Sequence, residues 1–107
     1  MLGVSWGELI QGLVRDILTL INNDAEVHEF DDRIVIHPRR SYKVEPIVRL
    51  LRRRGFELVG RKVFGNPRMS ANYHDYYEGG GVKVELYYAV DALVFTDIRS
   101  ITITTPG

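Results

Sequence analysis

The sequence feature that most constrains the fold is the segment from residue 82 to residue 90, in which apolar and more polar side chains alternate at every position. The members of the apolar set are Val82, Val84, Leu86, Tyr88 and Val90. A period of two residues is typical of a β-strand that buries one face. Such a strand needs partner strands beside it and a second layer against its apolar face. The pattern therefore predicts a sheet that is covered on one side.

Two segments with helical periodicity can provide the covering layer. In the first, apolar residues recur at steps of three and four, namely at Trp6, Leu9, Ile10, Leu13, Val14, Ile17, Leu18 and Ile21. Ser5 and Glu8 have the spacing of a capping box, in which both side chains accept hydrogen bonds from amides at the start of a helix. We therefore expect a helix from Ser5 to about Asn22.

The second helix is expected to begin near Val44 and to stop at Gly55. Pro46 lacks an amide hydrogen and fits only in the first turn. Glycine is the residue best suited to the left-handed conformation that follows a helix C-terminus. The apolar side of this helix consists of Val44, Ile47, Leu50 and Leu51.

Further strands are predicted around the second helix. Runs of β-branched or alternating residues favour strands at 26–30, 33–37, 56–64, 93–95 and 101–104. The first two strands form a hairpin with Asp31 and Asp32 as its turn. The last two segments are separated by a break at Thr96 and Asp97. Gly60 predicts a β-bulge. Residues 65–80 show neither period, and we expect a long, mobile loop there.

Chain length and element order together define the expected fold class. The chain has 107 residues, 45% of them hydrophobic, which is enough for one core, and we predict a single domain over residues 1–107. Consecutive strands with only two helices predict an α+β two-layer sandwich of order α-β-β-α-β-β-(β). In this arrangement both helices lie on one face of a mainly antiparallel sheet.

Composition excludes several kinds of site and of protein. There is no cysteine, which removes disulfides, thiolate metal sites and cysteine nucleophiles, and we predict no metal and no cofactor. The apolar-rich run at 9–21 contains Gln11, Arg15 and Asp16 and lacks a basic leader, so it predicts neither a signal peptide nor a membrane span. We expect a cytoplasmic protein with no membrane partner. Arginine outnumbers lysine eleven to three, which is compatible with a heat-adapted source.

Charge is segregated along the chain although the net charge is zero. Ten of the 14 Lys and Arg residues fall between Arg39 and Arg68, where only Glu45 and Glu57 oppose them, and both flanks are acidic. A local positive field attracts phosphate-bearing or acidic molecules whatever the net charge of the chain. The segment therefore predicts binding to nucleic acid or to another polyanion.

The arginines of the second helix form the centre of this predicted site. Arg49, Arg52 and Arg53 are three and four positions apart and share one exposed stripe, which can neutralise several phosphates. The flanking cations that extend it are Arg39, Arg40, Lys43, Arg61, Lys62 and Arg68. The tyrosines expected to stack on unpaired bases are Tyr73, Tyr76 and Tyr77. The alternative is a solvated helix face, because arginine is a good helix former.

Two other functions remain open from the sequence. One is a homodimeric interaction module in which the acidic hairpin or the C-terminal acids of one copy contact the basic helix of another. The C-terminal Ile-Thr strand is a second contact in this dimer if it lies at a sheet edge. The other is a nuclease-like hydrolase centred on the 65–80 segment. It would require His74 and Asp75, with Glu78 as a further candidate, to converge with another ionisable group in a cleft. Their spacing matches no diagnostic set of metal ligands.

Overall fold

Six strands and two helices make up the part of the chain that the computed structural model describes, residues 7–92 and 95–105. In chain order they are α1 (Glu8–Leu20), β1 (Ala25–Glu29), β2 (Arg33–Pro38), α2 (Glu45–Arg53), β3 (Glu57–Asn66), β4 (Ser70–Gly79), β5 (Val82–Asp91) and β6 (Phe95–Thr104). The predicted α+β fold class is confirmed, and the structure adds the strand β4, which the sequence patterns do not indicate.

The strands form one sheet in the order β1-β2-β6-β5-β4-β3, and every neighbouring pair is antiparallel. The last strand of the chain, β6, lies between β2 and β5 and so joins the N-terminal hairpin to the C-terminal strands. The edges of the sheet are β1 and β3.

One face of the sheet packs against both helices because its side chains form continuous apolar rows. The pairing places Ile103 between Ile34 and Val84. It places Ile101 between Ile36 and Leu86 in the same way. All six are fully buried. They share a core with one side of α1 (Ile10, Leu13, Val14, Ile17 and Ile21) and one side of α2 (Ile47, Leu50 and Leu51). We call this the helix face and the opposite side the open face. Burial along β5 alternates as its sequence predicts.

The predicted loop at 65–80 is wrong. Residues 57–79 form a long hairpin of β3 and β4 with a short turn at 67–69, and β4 pairs with β5 along its whole length. The sequence pattern does not predict β4, because the side chains that this strand turns toward the helix face include Asp75 and two tyrosines. A buried carboxylate therefore interrupts the apolar alternation. Gly80 and Gly81, with φ of 56° and 81°, form the two-residue turn into β5. Both φ values belong to the left-handed region that this kind of hairpin turn requires.

The other boundaries differ less from expectation. The predicted capping residue Ser5 and Trp6 lie outside the described residues, and α1 begins at Glu8 after Gly7. The first hairpin and α2 lie within a few residues of their predicted positions. The bulge expected at Gly60 is confirmed by a register shift between Leu58 and Gly60.

The C-terminal prediction needs correction. Residues 95–104 form one strand, without the expected break at Thr96 and Asp97, which pair with Val90 and Ala89. The Thr96 hydroxyl accepts a hydrogen bond from the amide of Val44 and donates one to Glu45, so contacts with the start of α2 hold this part of the strand. Residues 93 and 94 lie outside the described part. Neither described helix has the length and apolar character needed to cross a membrane.

Candidate nucleic-acid interface

The arginines of α2 lie on its solvent side. Burial of Ile47, Leu50 and Leu51 against the sheet fixes the orientation of the helix, and the three- and four-residue spacing then places Arg49, Arg52 and Arg53 together on the exposed side. Arg52 and Arg53 fall in the last turn, where positive charge interacts favourably with the helix dipole. The stripe is therefore compatible with helix stability and leaves its guanidinium groups in solvent.

Three cations of the basic segment are paired with carboxylates. Arg54 binds Asp16 of α1, Arg40 Nε lies 3.3 Å from Asp24 Oδ2, and Arg61 binds Asp75. The others have no ion pair with an acidic residue in the described parts of the chain: Arg39, Lys43, Arg49, Arg52, Arg53, Lys62 and Arg68.

The acidic hairpin adjoins the start of the basic segment, where the amide of Arg39 and the side chain of Arg40 contact Asp24. Asp31 and Asp32 form the turn between β1 and β2, at the edge of the sheet opposite β3. Asp32 contacts Arg33 within its own hairpin. No carboxylate of that turn forms an ion pair with a described cation of the basic segment.

A cleft of about 410 Å³ opens beside the stripe, between α2 and the helix face of the sheet. Arg49 and Arg52 reach it from the helix, and Arg61 reaches it from β3. The remaining lining is mostly aromatic or aliphatic, with two acids and one threonine: Val44, Glu45, Val48, Tyr73, Asp75, Tyr77, Tyr88, Val90 and Thr96. We call this space the α2 cleft.

A buried ion pair forms part of the floor of the α2 cleft. Asp75 is 0% exposed, and Arg61 donates to its two oxygens from Nε at 2.6 Å and from Nη2 at 2.9 Å. The Tyr88 hydroxyl donates a third hydrogen bond to Asp75 Oδ2 at 2.7 Å. The hydrogen bonds to Asp75 raise the pKa of the Arg61 guanidinium. Burial, together with Asp75, raises the pKa of Tyr88, so its hydroxyl remains a donor.

The pairing of Arg61 with Asp75 follows from the hairpin, in which the two residues are directly opposite. From the sequence, Arg61 is expected to bind phosphate and Asp75 is a candidate catalytic residue, whereas Tyr88, Val48 and Thr96 belong to no predicted site. A prediction of residues 57–79 as a hairpin would have placed Arg61 opposite Asp75.

The predicted tyrosine group is divided between the two faces of β4. Tyr73 and Tyr77 lie on the helix face and line the α2 cleft. Tyr76 lies on the open face, where Lys62 Nζ is 5.8 Å from its ring centroid. The tyrosines therefore do not form one stacking platform.

The proposed catalytic residues are divided in the same way. His74 and Glu78 lie on the open face of β4, whereas Asp75 lies on the helix face. His74 stacks on Tyr87 with ring centroids 4.1 Å apart, and its Nδ1 is 3.4 Å from Glu85 Oε2. Within residues 7–92 and 95–105, no group of three or more histidine and carboxylate side chains could hold a metal ion. The geometry therefore does not bring His74, Asp75 and Glu78 together in one cleft.

The C-terminal Ile-Thr segment is not a sheet edge, because β6 pairs on both sides. The contact suggested for it in a homodimer is therefore removed. The exposed edge with apolar character is β3 and the turn after it, where the large exposed side chains are Leu58, Val59, Val63, Phe64 and Met69.

Comparison with known proteins finds no matching family model, no similar curated protein and no similar solved structure.

Proposed function

We propose that this protein binds nucleic acid, chiefly through phosphate groups, with the exposed arginines of α2 as the main contacts. The observation that carries the proposal is that Arg49, Arg52 and Arg53 lie together in solvent without an ion pair to any described acidic residue. Guanidinium groups free of intramolecular carboxylates are available to replace the counterions around phosphates.

The surroundings of the stripe support the same ligand. Arg39 and Lys43 precede α2 and are exposed, and Arg68 is exposed in the turn that follows β3, whereas Lys62 lies on the open face of the sheet. A ligand with many regularly spaced negative charges can contact several of these groups at once, whereas a single small anion cannot. The charge distribution therefore favours a polyanion.

The test is a titration of labelled oligonucleotides by fluorescence anisotropy at a series of salt concentrations. We expect affinity to fall steeply with salt, and the triple variant R49A/R52A/R53A to weaken binding and to reduce the slope of log K against log salt by about 2–3. The matched control is R15A/R33A/K83A, which removes the same charge from exposed cations outside the basic segment. It should leave the slope nearly unchanged.

Two results would contradict the proposal. The first is the absence of binding to single-stranded and double-stranded probes at low salt. The second is an equal loss of slope in both triple variants, which would show that binding follows net charge alone rather than the α2 stripe.

Self-association is a second candidate, favoured by the two edges of the sheet. The hairpin of β1 and β2 carries Asp31 and Asp32 in its turn, while the β3 edge combines Arg61 and Lys62 with exposed Val59 and other apolar side chains. An edge strand offers unpaired backbone groups to another chain. Sedimentation at low and high salt tests this candidate, and a monomer under both conditions would exclude it.

A further inference from the structure

We propose that the α2 cleft holds one unpaired nucleotide of the bound nucleic acid, so that the ligand is single-stranded. This inference rests on the proposed function and adds the form of the ligand to it. The phosphate lies against Arg49 and Arg52 at the mouth, and the base enters between α2 and the strands.

The size and lining of the cleft exceed what a phosphate alone needs. Its volume of about 410 Å³ falls within the range of roughly 300–1,000 Å³ that is usual for small-molecule sites. Its lining also includes the aliphatic side chains of Val48 and Val90 and the ring of Tyr73. A flat base that leaves water for this apolar space gains free energy, whereas a phosphate group would lose hydration there.

A fixed donor lies at the β3 side of the cleft. Asp75 holds the guanidinium of Arg61 through Nε and Nη2, while Nη1 makes no hydrogen bond within the described residues. The side chain remains 44% exposed. Because the carboxylate determines the plane of the guanidinium, Nη1 is a donor of defined direction, suited to an acceptor on a base edge.

The two acids that line the cleft do not prevent an anionic ligand from binding. Asp75 accepts three hydrogen bonds and is neutralised by Arg61. Glu45 accepts a hydrogen bond from the Thr96 hydroxyl at 2.9 Å. Three arginines therefore face two carboxylates, each of which already accepts hydrogen bonds from the protein, and the excess is positive.

A base in a duplex cannot occupy this site without leaving its stack. Unpairing and unstacking carry a free-energy penalty that an already single strand avoids. The cleft therefore discriminates by strandedness, whereas the arginine stripe by itself contacts any phosphate backbone.

The experiment fills the cleft without changing charge. Val48 lines the cleft from α2 and is partly buried, so Val48→Phe places a larger apolar side chain in the space for the base. Wild-type protein should bind labelled oligothymidine more tightly than a hairpin duplex with the same number of phosphates. Val48→Phe should lower the affinity for oligothymidine by about tenfold, as expected for the loss of one stacked base, and leave duplex affinity and salt slope unchanged. Oligouridine in parallel shows whether RNA or DNA is preferred.

Val27→Phe is the matched control, since it makes the same substitution at a half-exposed position on β1, at the other edge of the sheet. It should leave the preference for single strands intact. A measurement on the wild-type protein covers the case in which Val48→Phe does not fold. Saturation with oligothymidine should shift the methyl resonances of Val48 and Val90 in NMR spectra, and saturation with the duplex should not.

The inference is overturned if wild-type protein binds duplex as tightly as oligothymidine, if Val48→Phe leaves their ratio unchanged, or if the bound strand does not shift the two valines. In each of these cases a normal salt slope would leave the proposed function standing. The absence of binding to every probe would overturn both.

Discussion

At the scale of single residues, the most constrained side chain is Asp75. A carboxylate that is completely removed from water is tolerated only when its oxygens are hydrogen-bonded and its charge is balanced. Arg61 and Tyr88 meet both conditions, with three hydrogen bonds. Because Arg61 also reaches the α2 cleft, the same contacts that satisfy Asp75 hold a cation in position for a ligand.

Asp75→Asn tests the contribution of this network to stability. The amide keeps the shape of the side chain but removes the charge and one acceptor, so Arg61 loses a charge-assisted pair. We expect the free energy of unfolding in urea to fall by about 1–3 kcal/mol, since the partly exposed Arg61 recovers some hydration.

Glu85→Gln is the control for Asp75→Asn. Glu85 lies on the open face and is 37% exposed, and among the described residues its carboxylate contacts a basic side chain at His74, with 3.4 Å between Oε2 and Nδ1. Its replacement should change the free energy of unfolding by less than about 0.5 kcal/mol. Equal stability of Asp75→Asn and wild-type protein would show that the buried pair is energetically neutral.

At the scale of elements, the comparison of β4 with β5 shows what a sequence pattern can predict. The faces of β5 differ in polarity, so its alternation predicts the strand and its buried side. Along β4 the buried side includes Asp75 and two tyrosines, and both faces look polar. The arginine stripe of α2 follows from helical spacing alone, but the pairing of Arg54 with Asp16 depends on how α1 and α2 pack. The tertiary structure therefore determines which cations are free of carboxylate partners and available to bind a ligand.

The hairpin of β3 and β4 gives a prediction at this scale. Gly65 has a φ of 104°, and a Cβ added there would lie 2.7 Å from the backbone oxygen of Ser70. Gly65→Ala should therefore strain the end of the hairpin and lower the free energy of unfolding in urea by about 1–3 kcal/mol.

Gly60 offers a matched substitution in the same strand. Its added Cβ would meet only Tyr76 Cδ2, at an ordinary 3.7 Å. Gly60→Ala should leave stability unchanged or raise it by up to about 1 kcal/mol, because alanine restricts the unfolded chain. Similar urea midpoints for the two variants would argue against the strained turn.

At the scale of the whole molecule, β6 connects two parts that are distant in sequence. It pairs with β2 on one side and with β5 on the other, while the charged edges of the sheet lie at β1 and β3. The strands β6, β5 and β4 therefore lie between the first hairpin, whose turn carries Asp31 and Asp32, and the β3 edge, which carries Arg61 and Lys62. This arrangement keeps the α2 stripe away from the acids of the first hairpin, and local sequence patterns do not contain it, because it depends on the strand order.

Ile101 at the centre of β6 gives a test of this connection. It is 0% exposed and lies between Ile36 of β2 and Leu86 of β5. Ile101→Ala should lower the free energy of unfolding by about 2–5 kcal/mol, because it leaves a cavity at the meeting point of both halves. Thr102→Ala, one residue further and on the open face, should cost about 1 kcal/mol or less.

In native-state amide exchange, Ile101→Ala should lower the protection of the slowest amides of β2 and β5 by the same factor, since strands that open only with the whole sheet share its stability. Loss of protection in β5 with β2 unaffected would show that the first hairpin folds independently of the strands beyond β6.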